Sequence, residues 1–270
     1  MIKIASSILK SFLAFFFSSE KLFKQINGKH NGEECYIFGD GISLKYMDLS
    51  FFSDKPAIAC NNFIFHKDFK KVDVKYYTLF EPFWFFPFYR ALIRKRKIVL
   101  NKIQFKERIL IKQNPNIIFF SDISNSAFFR NRNLIFISNR IKNFISPKKI
   151  LENDINCFAG SLNIQIVIAI FLGFKKAYLV GCDYTHSNSL SGHFYEKGKG
   201  ISNNHYRWNE KFLSLASNYL ELVTVTIDSE SDTLGFIKYD SISKSNFKDN
   251  HEIVSKENLR ILSSWPGYNI

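Results

Sequence analysis

The stretch "SLNIQIVIAIFLGFKKAYLVGCDYT" (residues 161–185) decides the fold class. Its first part has the length of a helix, and Gly173 is a residue that commonly ends one. After a short turn, "AYLVG" (177–181) is an apolar run of strand length, and it is followed by the polar pair Cys182-Asp183. A helix, a glycine turn and a buried strand in this order form half of a parallel βαβ unit.

Similar apolar runs with polar ends recur along the chain. We predict strands at residues 35–39, 56–62, 74–82, 116–122, 133–139 and 222–228, and an amphipathic helix at 205–221. Repeated alternation of strands and helices indicates an open, mainly parallel sheet with helices on both faces. The sequence therefore predicts an α/β fold, with a single Rossmann-like domain at 33–270 and a lid-like loop at about 185–204 whose glycines are candidate hinges.

The start of the chain is predicted to be an N-terminal amphipathic helical extension, residues 1–32. Its helix, at 5–25, either packs on the domain or lies on a membrane surface. Lys10 and Ser11 interrupt the apolar stretch, which argues against a signal peptide. No run in the sequence approaches the roughly 18 to 20 apolar residues of a membrane span.

The charge balance is strongly basic, since 37 lysines and arginines against 24 acidic residues give a net charge of +13. Such a charge attracts nucleic acid or an anionic membrane. The basic residues are scattered except for a dense run at 90–108, and no nucleic-acid-binding motif accompanies that run, so nucleic acid is not a predicted partner. We expect peripheral contact with the anionic inner face of a membrane. The four cysteines form no C-x-x-C pair, which is typical of reduced thiols in a cytoplasmic protein.

A glycine loop follows the first predicted strand in "CYIFGDGISL" (residues 35–44). Gly39 and Gly41 allow a phosphate or a ribose to approach the backbone, and a following helix N-terminus favours an anion. The third glycine of the dinucleotide fingerprint is missing, and Asn61-Asn62 stands where an acidic residue is required, so a classical NAD site is not predicted. The sequence also has no Walker lysine motif, which excludes a P-loop kinase.

Ligands of an open α/β sheet bind at the carboxyl ends of its strands. This sequence places short polar residues there, suited to hydrogen bonding a sugar, a base or a phosphate. The candidate donor-binding residues are Gly39, Asp40, Gly41, Ser43, Asn61, Asn62, Thr78, Gly160, Ser161 and Asp183. We interpret Asp122, Ser138 and Asn139 as ordinary polar strand ends.

Histidines cluster in and beside the loop at 185–204, at positions 186, 193 and 205. Their spacings match no compact metal-ligand motif, and a single histidine acting as general base is the more economical interpretation. The acidic runs 228–232 and 152–154 are the nearest approach to a metal-binding Asp-x-Asp, and a solvated turn explains them better. No metal or other cofactor is therefore expected.

Four segments in order resemble the bacterial sialyltransferases of glycosyltransferase family 42 and related sugar transferases with domain of unknown function 115. These segments are "YIFGDGISL" (36–44), "ACNNF" (59–63), "KYYTLFEP" (75–82) and "GSLNIQIVIAIFLGFKKAYLVGCDYT" (160–185). The last block is the most specific, and the resemblance covers roughly residues 33–228. It implies a GT-A-type variant of the Rossmann-like fold that transfers a nonulosonic acid from a CMP donor, with inversion and without metal.

The resemblance also implies roles for individual residues. Gly39, Asp40 and Gly41 would line the phosphate and ribose of the donor, Asn61 would hydrogen-bond it, and Gly160-Ser161 would contact the sugar carboxylate. His205 lies near the position of the family's catalytic histidine, and His193 is the next candidate for the base. Tyr184 and Tyr195, with Lys197 and Lys199, are candidates to stabilise the departing phosphate.

This chain departs from the family pattern at three positions. The family carries Asn between the loop glycines and Pro after them, where this chain has Asp40 and Ile42, and Thr185 replaces a family tyrosine. An acidic side chain would repel a nucleotide diphosphate, so Asp40 is expected to bond a ribose hydroxyl, unless the donor is a different one.

The sequence thus predicts a glycosyltransferase that moves sialic acid or a related acidic sugar from a CMP donor, which is a substrate and not a cofactor. The acceptor would be an oligosaccharide or lipid-linked glycan of a bacterial lipooligosaccharide or capsule. Two alternatives stay open: a transferase or pyrophosphokinase of the same fold with another nucleotide donor, and a non-catalytic nucleotide- or glycan-binding protein. The oligomeric state is also open, with a homo-oligomer among the alternatives.

Overall fold

The structure is a computed structural model. It describes residues 21–79, 111–122, 131–137, 160–185, 189–203, 210–227, 230–231, 233–242, 246–265 and 267–270.

The core of the fold is an eight-stranded sheet in which the neighbouring strands pair in parallel. Its strands, in chain order, are β1 (Glu34–Phe38), β2 (Ala57–Cys60), β3 (Val74–Leu79), β4 (Ile118–Asp122), β5 (Leu134–Ile137), β6 (Lys176–Val180), β9 (Glu221–Thr226) and β10 (Gly235–Lys238). A separate antiparallel pair consists of β7 (Ser189–Ser191) and β8 (Ile201–Asn203). The predicted α/β class with a mainly parallel sheet is confirmed.

The strand order of the large sheet is β10-β9-β6-β1-β2-β3-β4-β5. From β1 the chain builds outward through β2 to β5, and it then returns to place β6 against the other side of β1. The order therefore reverses between β1 and β6. In open parallel sheets the crevice at this reversal, outside the carboxyl ends of the strands, is where ligands bind.

Helices cover both faces of the sheet. The α-helices are α1 (Ser161–Leu172), α2 (Glu210–Ala216), α3 (Asn250–Ile253) and α4 (Lys256–Ser263). The 3₁₀ turns are Ile42–Tyr46, Leu49–Phe52, Phe63–Phe65, Lys67–Lys71, Asp183–Thr185 and Tyr239–Ser241. Alternate residues of each strand point to opposite faces, so the strands contribute to two separate hydrophobic clusters.

The first cluster contains α1 and α2, and the second contains the 3₁₀ turns after β1 and β2 together with α3 and α4. Ile37 and Ile58 belong to the first, and Phe38 and Ala59 to the second. Both faces of the sheet are thus shielded from water, which explains why the strands read as continuous apolar runs and not as alternating ones.

Tertiary packing, more than intrinsic propensity, holds α1 together. The helix is rich in β-branched residues, which are weak helix formers, yet nine of its twelve residues are buried. Its ends are defined by glycines with positive φ, Gly160 at 109° and Gly173 at 87°. The amide of Gly173 donates to Ile170 O at 3.0 Å, which closes the last turn as expected from the sequence.

The described part of the N-terminal extension packs on this domain. Residues 21–26 are helical, and the ring of Phe23 stacks on Phe171 of α1 with centroids 4.3 Å apart. The Gly28 amide donates to Phe171 O, and His30 Nε2 lies 2.7 Å from the hydroxyl of Tyr76. Residues 1–20 lie outside the described part of the chain, so the predicted membrane contact of that segment stays a prediction.

The structure differs from the sequence prediction in three places. β10 was not predicted, because its residues at the sheet edge are only partly buried and carry no clear apolar pattern. The β7–β8 pair was predicted as loop, since both strands are three residues long. No helix was predicted at α3 or α4. Among the described residues, no helix is long and apolar enough to cross a membrane.

Candidate functional site

A cleft of about 540 Å³ opens at the reversal point, between the ends of β1 and β6 and the start of α1. Its lining includes most of the residues that the sequence singled out. The described residues that line it are Gly39, Asp40, Gly41, Cys60, Asn61, Gly160, Ser161, Leu162, Gln165, Gly181, Cys182, Asp183, Tyr184, Ser191, Gly192 and His193.

The glycines of the loop after β1 are required by the approach of β6. The amides of Gly39 and Gly41 donate to Val180 O and Gly181 O, at 2.9 and 2.8 Å. A Cβ atom on Gly39 would lie 2.4 Å from Gly181 O, and one on Gly41 would lie 2.4 Å from Asp183 Oδ2. Two strand ends therefore touch here, and glycine at both positions lets them do so while their backbone forms one wall of the cleft.

Asp183 holds the same loop from the β6 side. Its Oδ2 accepts a hydrogen bond from the Ser43 amide at 3.0 Å. Burial raises the pKa of this carboxyl from 3.8 to about 6, although hydrogen bonds from Ser43 and Ile42 and the charge of His193 act in the other direction. Asp40 plays a corresponding part on the β2 side, where its Oδ2 accepts from the Asn62 amide at 3.0 Å.

The end of β2 is tied to the start of α1. Asn61 has a φ of 47°, the left-handed region that asparagine tolerates better than most residues. Its Nδ2 donates to Ser161 Oγ at 2.9 Å. Gly160, the residue before the helix, has no side chain that could cap the first amides of α1. The positive end of α1 is therefore presented to the cleft, where it favours an anionic group.

His193 stands at the edge of the cleft with its ring oriented by Glu196. The Nδ1 atom lies 2.9 Å from Glu196 Oε2, and the backbone amide of His193 donates to the same oxygen at 2.8 Å. Because a carboxylate only accepts, this contact places the proton on Nδ1 and the lone pair on Nε2 in the neutral ring. The histidine side chain is 40% exposed, so a molecule bound in the cleft can reach it.

Glu196 is held in its ionised form, which suits it to orient the ring of His193. Burial opposes it, but the hydrogen bonds from His193 and from the Asn269 amide outweigh burial and hold the pKa of this carboxyl below its ordinary value. The His193 ring also stacks on Tyr195, with centroids 5.0 Å apart, and meets Tyr268 edge-on. A negative orienting group and a fixed imidazole together form the arrangement expected of a general base.

The turn that carries His193 is docked on the glycine loop. Gly41 and His193 form an antiparallel bridge, with Ile42 N donating to Gly192 O and Phe194 N to Asp40 O, both at 3.1 Å. Below it, the fully buried Lys45 reaches Glu196 O and Gly198 O through Nζ. The described part of the predicted lid loop therefore forms a wall of the cleft.

The predicted site residues fall into three groups. Those that line the cleft are Gly39, Asp40, Gly41, Asn61, Gly160, Ser161, Asp183, Tyr184 and His193. Those buried behind its walls are Ser43, Asn62, Thr78 and Tyr195. His205, the leading candidate for the base, lies outside the described residues.

The buried group acts through its neighbours. Asn62 Nδ2 donates to the Tyr195 hydroxyl at 3.1 Å, and burial raises the pKa of that tyrosine well above its ordinary value. Thr78 donates to Ala59 O within the sheet. Tyr195 therefore supports the ring of His193 and lies too deep, at 1% exposure, to meet a phosphate in this arrangement.

Sequence reasoning missed two polar residues of the site. Glu196 follows His193 by three residues in a polar loop, and that H-x-x-E spacing was a signal for an oriented histidine. Gln165 interrupts the apolar sequence of α1, and its position there was a signal for a polar contact within the core. The thiols of Cys60 and Cys182 also line the cleft. Burial raises the pKa of Cys182 well above its ordinary value, so it stays protonated.

The described lining contains two carboxyl groups, a histidine and no lysine or arginine. An anion in the described part of the cleft would thus rely on His193 and on neutral donors such as backbone amides and the Tyr184 hydroxyl. Of the predicted metal candidates, Glu230 accepts from Lys238 at 2.9 Å, and Asp228 and Asp232 lie outside the described residues. Asp249, His251 and Glu252 lie close together on the surface, where Asp249 and Glu252 form the capping box of α3.

Comparisons with known proteins add little. No family model matches the chain, and no curated protein matches it. Among solved structures it is similar to the sialyltransferase CstII from Campylobacter jejuni, described in complex with a substrate analogue, CMP-3FNeuAc. The identity is 17% over 86% of this chain and 100% of that chain, with a TM-score of 0.44. It is also similar to the MAf glycosyltransferase from Magnetospirillum magneticum AMB-1, with 13% identity over 88% of this chain and 38% of that chain, and a TM-score of 0.43. Likenesses this weak carry no argument about the chemistry of this chain.

Proposed function

We propose that the protein is a glycosyltransferase that binds a nucleotide-activated sugar in the cleft between β1, β6 and α1. The observation that carries the proposal is the His193–Glu196 pair at the edge of that cleft. A base of fixed tautomer stands beside a pocket that also holds a helix N-terminus suited to a phosphate. Transfer of a sugar from a nucleotide donor to a hydroxyl acceptor needs both a base and a binding site for the phosphate.

A CMP-linked acidic sugar is the donor we favour. Asp40 and Asp183 both belong to the lining, and no described lining residue is a lysine or arginine. A pyrophosphate would bring two linked negative charges to these carboxyls, whereas a CMP-linked acidic sugar brings a single phosphodiester and carries its second charge on the sugar carboxylate. The start of α1 would hold that phosphate or the carboxylate of the sugar, and Asp40 would accept from a hydroxyl of the ribose.

The proposed reaction is a single displacement. His193 Nε2 takes the proton of the acceptor hydroxyl while that oxygen attacks the anomeric carbon of the donor. The bond from this carbon to the phosphate oxygen breaks, and its electron pair leaves with CMP. Attack on the face opposite to the leaving group inverts the configuration. Tyr184, which belongs to the lining of the cleft, would donate a hydrogen bond to the departing phosphate.

The first experiment asks which nucleotide binds. A thermal-shift screen of CMP, CDP, UDP, GDP and ADP derivatives needs no acceptor, and CMP derivatives are expected to raise the Tm most. Release of CMP from CMP-sialic acid, with and without EDTA, then tests the reaction, and EDTA should make no difference. A Mg²⁺ requirement, or a preference for a diphosphate, would favour the alternative donor or pyrophosphokinase reaction.

The second experiment asks which histidine is the base. His193→Ala is expected to lower kcat by about 10² to 10⁴-fold while donor binding is nearly unchanged. Glu196→Gln should give a smaller loss, on the order of tenfold, because the ring loses its orienting charge. His205→Ala is the matched comparison. A larger loss of kcat in His205→Ala than in His193→Ala would assign the general base to His205. Nucleotide binding without any turnover would leave a non-catalytic binding protein.

A further inference from the structure

Gln165 is a buried polar residue that the proposed reaction does not use. It lies in the second turn of α1, is 1% exposed and contributes to the lining of the cleft. The residues on either side of it, Ile164 and Ile166, are apolar and buried. An amide in this setting must satisfy both its ends, since an unpaired buried polar group is costly.

The orientation of the amide is fixed by the sheet. Gln165 Nε2 donates to Phe38 O at 2.9 Å and to Ile58 O at 3.2 Å. Carbonyl oxygens only accept, so the nitrogen must face them and the flipped amide is excluded. The other end, Oε1, is buried, and no residue in the described part of the chain donates to it. What Oε1 requires is a hydrogen-bond donor.

The lining of the cleft divides its binding groups by type. The start of α1 offers N–H donors, which suit a phosphate or carboxylate. Asp40 and Gln165 offer acceptors, which repel such anions and suit hydroxyl or amino groups. A nucleotide has both kinds of group on one molecule, an anionic phosphate and a nucleoside that carries ribose hydroxyls and, in cytosine or adenine, an amino group.

We propose that Gln165 is a specificity-determining residue of this cleft and that its side-chain oxygen accepts a hydrogen bond from the ribose 2′-hydroxyl or from the exocyclic amino group of the bound nucleoside. This inference rests on the proposed nucleotide-sugar function. It assigns to the amide a discriminating role, because a buried acceptor left unpaired rejects an analogue that lacks the donor group. The ribose 2′-hydroxyl and the exocyclic amino group share this chemistry.

Affinities of the wild-type protein for CMP, 2′-deoxy-CMP and UMP test the inference and separate the two sources. A preference for CMP over 2′-deoxy-CMP of roughly five- to tenfold identifies the hydroxyl, and the same preference over UMP identifies the amino group. Gln165→Met removes the acceptor oxygen. The affinity ratio that shows the preference in the wild type, either CMP over 2′-deoxy-CMP or CMP over UMP, should fall close to one in this variant, while the other ratio is unchanged. Leu162→Met, in the same helix and lining, is the matched control and should keep both ratios.

The ratio of affinities is the readout, because general damage to the fold lowers the affinity for all three ligands alike. Equal binding of the three ligands by the wild type overturns the inference, even if Gln165→Met does not fold. A preference that survives in Gln165→Met overturns it as well. If none of the three binds to the wild type, the proposed function fails and the inference falls with it, a result distinct from binding without discrimination.

Discussion

Asp183 has an ionisation state that conflicts with its surroundings. It is buried at the end of β6, and its pKa of about 6 compares with 3.8 for a solvated aspartate. The protonated form is therefore favoured by folding, and the ionised form at neutral pH is maintained at a cost. The difference corresponds to at most about 3 kcal/mol. The residue that holds the glycine loop in place thus also destabilises the fold above pH 6.

The pH dependence of stability should reveal this. The contribution of Asp183 is fully present below the pKa of the unfolded chain and is lost as the pH rises through about 6. We expect the free energy of unfolding of the wild type, relative to Asp183→Asn, to fall by up to about 3 kcal/mol between pH 4 and pH 7. Urea unfolding at several pH values measures it, and a constant difference would contradict it.

Glu196→Gln is the control of opposite sign. The pKa of this carboxyl is lowered in the folded protein, so its contribution is present above the unfolded pKa and is lost as the pH falls. On acidification, the free energy of unfolding of the wild type relative to Glu196→Gln should therefore fall. Its free energy of unfolding relative to Asp183→Asn should rise. The pKa values of these two carboxyls are thus shifted in opposite directions, because burial dominates at Asp183, whereas hydrogen bonds from His193 and the Asn269 amide outweigh it at Glu196.

At the scale of elements, the contact between the ends of β1 and β6 decides whether the cleft forms. Gly41→Ala would place a methyl group 2.4 Å from Asp183 Oδ2 and 2.5 Å from Gly181 O, so backbone must move. We expect a loss of about 2 kcal/mol in stability, together with weaker nucleotide binding. Gly235→Ala is the matched control, since its Cβ would meet Val223 at 3.6 Å, an ordinary contact. Equal Tm values for the two variants would contradict the close approach.

Lys45 joins the glycine loop to the turn that carries His193. Burial lowers the pKa of its ammonium group, while Asp249 and Glu196 act against that effect. Lys45→Met should cost about 1 to 3 kcal/mol, because Glu196 O and Gly198 O lose the hydrogen bonds that the buried Lys45 ammonium group donates. Hydrogen exchange of the Phe194 and Lys197 amides should become faster, since the turn loses its anchor. Lys197→Met, at an exposed position, is the control, and unchanged exchange in Lys45→Met would refute the anchoring role.

The sequence could predict elements whose ends are marked by residues of the local sequence. The α1–β6 unit has a glycine stop, a buried apolar run and a polar end, and each lies where the pattern placed it. The cleft follows from topology, because strand ends of a parallel sheet converge. The reason for Gly41 could not be predicted, since the atom that excludes a Cβ belongs to Asp183, 142 residues away in the chain. Buried Lys45 also runs against the usual exposure of lysine, and only the docked turn explains it.

At the scale of the whole molecule, the net charge of the chain is opposite in sign to the charged side chains that line the cleft. The chain has a net charge of +13, whereas the described lining of the cleft holds two carboxyl groups and no lysine or arginine. The positive charge must therefore act outside that lining. We propose that it draws an anionic donor over long range and that it also draws the protein to an anionic membrane, where a lipid-linked acceptor would be found. The dense basic run at 90–108 and the amphipathic start of the chain are the two segments suited to such contact.

Vesicle binding can separate these two segments. We expect the protein to bind vesicles that contain phosphatidylglycerol at low salt, to detach at about 0.5 M salt, and to ignore vesicles of phosphatidylcholine alone. Replacement of Arg94, Lys95, Arg96 and Lys97 by glutamine should reduce binding if charge dominates. If apolar insertion of the predicted first helix contributes, deletion of residues 1–20 should reduce binding and make the binding that remains more sensitive to salt than that of the wild type. Equal binding to neutral and anionic vesicles would show that the net charge does not direct the protein to a membrane.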